Sequence, residues 1–186
     1  MVVAPKWIGN IRCFWHNKNG IPRITIGPNW GFTIVLGVLV CGTFYIASSG
    51  LINMYRRNAA WHWLIIGALL IISGLLSFFM TLLGDPGIPP KVYWYQARPH
   101  LEPHLKQKNN KGHDLCRECR VVYMDGIREH CSLCNVCIDD PDHHCVFYSK
   151  CIGGGNILYF RLSILLYIIN MAYFIIVYGF VSLTKE

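Results

Sequence analysis

Three stretches of the chain, residues 31–52, 58–84 and 162–184, hold no Asp, Glu, Lys or Arg. Each is long enough to cross a hydrocarbon core, which takes about 20 helical residues. The pattern predicts membrane-spanning helices over 31–52, 60–83 and 158–181. Trp61 and Trp63 open the second span as belt aromatics, and Asp85-Pro86-Gly87 with Pro89-Pro90 stops it. Arg56 and Arg57 mark the short turn between the first two spans. Ahead of the spans lies an arm, residues 1–30, rich in Asn, Gly and aromatics and without clear helical period. Residues 84–112 read as a linker, and residues 113–157 as a separate polar, cysteine-rich module. No internal repeat or low-complexity tract interrupts this order.

Composition excludes a soluble domain. Of 186 residues, 53% are hydrophobic and only 15% charged, leaving too little polar sequence to cover three apolar blocks. The formal charge is +7, and all ten acidic residues lie at Asp85 or later. Two spans return the chain to its starting side, so arm and module share a face. Lys and Arg number four in the arm and nine in residues 84–157, against two in the first turn. The positive-inside rule therefore places arm and module in the cytosol, or in the matrix of a mitochondrion. The basic stretch 106–111 reads as solvated surface with weak contact to anionic lipid.

The module carries the chemistry. Seven of nine cysteines fall between Cys116 and Cys151, and three histidines sit among them. They read Cys116-x2-Cys119, His130-Cys131-x2-Cys134-x2-Cys137, His143-His144-Cys145 and Cys151. Such spacing points to tetrahedral zinc sites with reduced thiols; a secreted disulfide framework is the alternative. Two such sites need eight ligands, and ten are offered. Nucleic-acid binding is disfavoured, because no finger-like helix follows the ligands and the module adjoins membrane.

The literal Asp142-His143-His144-Cys145, the spacing to Cys151, and Asn156 and Phe160 beyond it resemble the DHHC protein S-acyltransferases (palmitoyltransferases). Arg128, His130, Cys131, Cys134 and Cys137 keep that family's order, and Asp85-Pro86-Gly87 resembles its short motif after the second span. The resemblance implies a mainly α membrane protein, three transmembrane helices with a two-zinc module between the second and third. It also implies interleaved ligands: Cys116, Cys119, His130 and Cys137 in one site, Cys131, Cys134, His144 and Cys151 in the other. Asp142, His143 and Cys145 are then left over. A thiol needs a base to become a nucleophile, and the base needs an orienting acceptor. Asp142 can hold His143, and His143 can deprotonate Cys145.

The implied reaction is two-step transfer. Acyl-CoA acylates Cys145, and a membrane-proximal cysteine of a protein substrate then takes the acyl group. The acyl chain would lie among the spans, in an endomembrane of the ER or Golgi. The chain departs from the family pattern at several points. It has Val146-Phe147 where Pro-Trp is usual, Pro141 in place of Met, and Ser149-Lys150 in place of an Asn pair. One extra residue separates Cys119 from His130, and neither a fourth span nor a Thr-Thr-x-Glu motif follows. These departures frame the alternative expectation, a catalytically silent, zinc-stabilised subunit of a large membrane complex, for example in the mitochondrial inner membrane.

Overall fold

The computed structural model describes residues 7–17, 21–58, 61–90, 92, 116–121 and 127–183. The stretch 106–111, most of the linker and the first residues of the module lie outside the described residues.

The arm is a three-stranded antiparallel meander of β1 (Trp7–Ile8), β2 (Ile11–His16) and β3 (Pro22–Ile26). Its pattern is short: Ile11 and Cys13 point inward while Arg12 and Phe14 point out, the period of two that a half-buried strand requires. Four residues of alternation, broken at exposed Trp15, are too few to separate from irregular chain by sequence. Gly9 makes the tight β1–β2 turn at φ 54°, and a Cβ there would lie 2.2 Å from the Asn135 carbonyl oxygen. The inner face, Ile8, Ile11 and Cys13, shares one core with Cys134, Val136, Cys137 and Ile138 of the module. Asn10 N–H donates to the Cys134 carbonyl at 2.8 Å. Arm and module are therefore one packed unit.

Three helices, α1 (Trp30–Asn58), α2 (Trp61–Leu83) and α3 (Ile157–Leu183), each contain a stretch long and apolar enough to span a membrane. The chain is a multi-pass integral membrane protein. α1 runs on past the expected turn at residue 53, through Arg56 and Arg57. At about 43 Å it exceeds the hydrocarbon thickness, so its charged last turns reach the interface. The buried stripe of α2 is Gly67, Gly74, Ser77, Phe78 and Thr81. Small residues let neighbouring helices approach, which supplies packing where lipid offers no hydrophobic drive. At Gly67 a Cβ would sit 2.3 Å from Leu51 of α1. Asn170 of α3 donates across to the Leu70 carbonyl at 3.1 Å.

The module hangs between α2 and α3 as two hairpins. β4 (Arg128–Cys131) pairs with β5 (Val136–Asp139), and β6 (His143–Cys145) with β7 (Lys150–Ile152). Asp85-Pro86-Gly87 fastens them to the spans. The Asp85 carboxylate accepts from Gly87 and Ile88 N–H at 3.0 Å each. The Gly87 carbonyl accepts from Asp139 N–H at 2.8 Å, and the Pro86 carbonyl from Gly155 N–H at 3.3 Å. Asn156, fully buried, donates to the Cys151 carbonyl at 3.2 Å just ahead of α3. The end of the second span, the module and the start of the third span are locked at one level.

Candidate metal centres and reactive site

The strand period sorts the ligands. His130 and Cys131 are neighbours on β4, so their side chains leave opposite faces. His130 joins Cys116, Cys119 and Cys137, while Cys131 joins Cys134, His144 and Cys151. Within each foursome every ligand atom lies within 4.8 Å of the others. His130 Nδ1 is 3.4 Å from Cys116 Sγ, 3.5 Å from Cys119 Sγ and 3.8 Å from Cys137 Sγ. His144 Nδ1 is 3.5 Å from Cys131 Sγ, 3.3 Å from Cys134 Sγ and 3.8 Å from Cys151 Sγ. A tetrahedron with metal–sulfur bonds of about 2.3 Å has edges of about 3.8 Å. Both clusters therefore have the size of a four-coordinate site, and the two can hold two metal ions. They are interleaved along the chain, and all the cysteines in them are free thiols.

Protons compete within each cluster. Cys119 is pulled down to about 6, first by the Cys137 thiol and then by His130 against the cost of burial. Cys137 is pushed up by its bond to Cys119, by burial and by the neighbouring charge. In the second cluster the Cys134 and Cys151 thiols pull Cys131 down, and Cys131 pushes Cys134 up to about 12. One thiolate per cluster is favoured and a second opposed. A dication at the centre removes that opposition and permits all three.

The second hairpin turns its neighbouring side chains to two different surroundings. In its register His144 opposes Cys151, both turned to the metal cluster. His143 opposes Ile152 and Cys145 opposes Lys150, on the other face. His143 Nδ1 lies 2.7 Å from Asp142 Oδ2, with both side chains partly exposed. The ring of Phe160 meets His143 at 5.3 Å between centroids, near edge-on. Cys145 is buried, and it lines with His143 a cavity of about 570 Å³ running between the helices. That volume falls within the range of ligand pockets, about 300–1,000 Å³. Its walls are apolar: Leu36 and Phe44 of α1, Phe78 of α2, Ile164 and Tyr167 of α3. Phe147 of the hairpin tip stands at the wall, more than half exposed.

Sequence reasoning missed two supports of this site. Tyr148 packs on Phe78 and Phe160, and its hydroxyl lies 3.0 Å from Ser163 Oγ. Lys150, seen in the sequence only as a departure, is fully buried. Its Nζ donates to the Thr25 carbonyl at 3.1 Å, to Thr25 Oγ1 at 3.0 Å and to the Gly84 carbonyl. Burial pushes this amine down to about 7, while Asp85, Cys134 and Cys13 hold it up. No local signal marks a lysine for burial, because its partners lie 66 and 125 residues away.

Residues 109–186 match the DHHC palmitoyltransferase family. The chain is 40% identical over 70 residues to Palmitoyltransferase SWF1 of Saccharomyces cerevisiae, covering 38% of this chain and 20% of that protein. It is 33% identical over 107 residues to Palmitoyltransferase ZDHHC5 of Homo sapiens, covering 54% and 15%. To Palmitoyltransferase ZDHHC3 of Homo sapiens it is 25% identical over 178 residues, 96% of this chain and 56% of that protein. The chain thus spans little more than half of these relatives at most.

Proposed function

We propose, from the match of residues 109–186 to the DHHC palmitoyltransferase family, that this protein moves a long-chain acyl group from acyl-CoA to a cysteine of a membrane-apposed protein, through an acyl-Cys145 intermediate. The observation that carries this reading is the shared position of Cys145 and the Asp142-oriented His143 on an apolar groove between the spans.

Two zinc ions fit the two foursomes, since three thiolates and an imidazole suit that metal. Each site is filled by its own four ligands, so the metal supplies structure, holding the hairpins in register. The chemistry falls to Asp142, His143 and Cys145. The Asp142 carboxylate accepts from His143 Nδ1–H, leaving Nε2 free to take the Cys145 proton. The Cys145 sulfur then attacks the thioester carbon of acyl-CoA. The carbon–sulfur bond to CoA breaks, and the CoA thiolate leaves with the proton from His143. In the second half the acceptor thiol gives its proton to His143 and attacks the acyl carbon. Cys145 departs as a thiolate and is reprotonated. One thioester replaces another, so little driving force is needed. Each methylene held in the groove is worth about 0.8 kcal/mol against water, which favours long chains. The module faces the cytosol of an endomembrane, where thiols stay reduced and acyl-CoA is at hand.

Purified protein given radiolabelled acyl-CoA should take up one hydroxylamine-sensitive acyl group. Cys145→Ala should abolish it with both metals retained. His143→Ala should slow it by about 10²- to 10⁴-fold, the worth of a positioned base. Wild-type protein that takes no label would overturn the catalytic reading and leave a silent structural subunit.

A further inference from the structure

Cys145 sits on β6, and its cross-strand partner on β7 is Lys150. Directly opposed residues on one hairpin share a face. The Lys150 side chain leaves that face wholly buried and ends on oxygens of two other elements. They are the carbonyl and hydroxyl of Thr25, on β3, and the carbonyl of Gly84, immediately after α2. Thr25 Oγ1 donates in turn to the same Gly84 carbonyl, at 2.8 Å. Three ammonium protons meet three acceptors. The contact closes a ring joining the arm, the end of the second span and the strand paired with the thiol. Gly27, just past β3, presses on the hairpin as well; a Cβ there would lie 1.6 Å from the Ser149 carbonyl oxygen. Ser149 itself holds φ 61° in the turn between β6 and β7, with its N–H bonded to the Val146 carbonyl at 3.1 Å.

A methionine would fill the same space without the desolvation cost of a charge. What the ammonium adds is direction: three bonds at fixed angles fix where β7, and so β6, stands relative to α2. Most of the groove wall comes from the helices, whereas Cys145, with His143, Phe147 and Tyr148, comes from the hairpin. Something must hold one in register with the other. We propose that Lys150 is a positioning residue, pinning the Cys145 hairpin to Thr25 and Gly84 so that the thiol meets the acyl carbon at the groove mouth. The arm is then part of the transfer machinery. This rests on the reading of Cys145 as nucleophile. A misplacement of about 1 Å costs about 10²-fold in rate, so a loosened hairpin shows in turnover even when the fold survives.

The test is single-turnover acylation of the full chain in nanodiscs, measured against acyl-CoA concentration and normalised to protein carrying two metals by elemental analysis. Lys150→Met should lower the saturating rate at least tenfold and move the half-saturating concentration less than threefold. Thr25→Val, which loses one acceptor, should lower the rate severalfold, and Thr25→Ser, which keeps the hydroxyl, should restore it. Thr25→Val added to Lys150→Met should cost nothing more, because both act through one contact. A lysine that only supports the fold would reduce the yield of metal-loaded protein and leave the rate per loaded molecule unchanged. That result for Lys150→Met overturns the proposal. If Lys150→Met fails to load metal, equal rates for Thr25→Val and Thr25→Ser overturn it instead. Wild type without label overturns the nucleophile assignment itself, a different outcome from wild type and Lys150→Met labelling alike.

Discussion

His143 and His144 are adjacent, and the structure gives them opposite surroundings. His144 Nδ1 is within 3.8 Å of three thiols, while His143 Nδ1 bonds the Asp142 carboxylate and its ring lines the groove. One residue of spacing on a strand reverses the side-chain direction, which is the whole cause. His144→Ala should therefore lose the second metal and the hairpin with it, because binding energy of about 10–16 kcal/mol for such a site is also folding energy. His143→Ala should keep both metals. Metal counts of two for His143→Ala and one or none for His144→Ala are expected. The reverse order would refute the placement. At this scale the candidates were readable from spacing and from the literal Asp142-His143-His144-Cys145. Lys150 and Tyr148 were not, since Lys150 is held by Thr25 and Gly84 and Tyr148 packs on Phe78, all far along the chain.

At the scale of elements, the arm is the informative case. Its sheet buries Ile8, Ile11 and Cys13 against Cys134, Val136 and Ile138. A module of this size lacks a core of its own, and the arm supplies the missing side. Ile11→Ala should cost about 2–5 kcal/mol by leaving a cavity in that core. Phe14→Ala, on the outer face of the same strand, should change stability by no more than about 0.5 kcal/mol. Resistance of the bound metals to a competing chelator, followed with temperature, separates the two. Equal loss in both variants would mean that the sheet does not support the module. The three spans were legible because an uncharged block of that length has few other homes. The meander was not, because a four-residue alternation becomes a strand only when partners exist for its edges.

For the whole molecule, two kinds of stability coexist. The helices satisfy their backbone bonds internally and are held by lipid and by small-residue packing along α2. The module depends on its two clusters. Stripping both metals with a strong chelator should abolish acylation and open the module to protease between residues 116 and 152. Far-ultraviolet circular dichroism should meanwhile keep its helical signal. Loss of that signal in parallel would show that the spans fold only with the module.

Sequence alone indicated a membrane protein, three stretches able to span a bilayer and the residues able to bind metal. Those properties follow from local composition and spacing: an uncharged block needs lipid, and paired cysteines and histidines at short intervals need a metal. Only the tertiary structure decided that the arm is a sheet completing the module's core and that Cys145 lines a groove between the helices. It alone placed the Lys150 ammonium on Thr25 and Gly84. The arm and lysine contacts join segments dozens of residues apart, fixed by packing of the whole chain and therefore without a local signature.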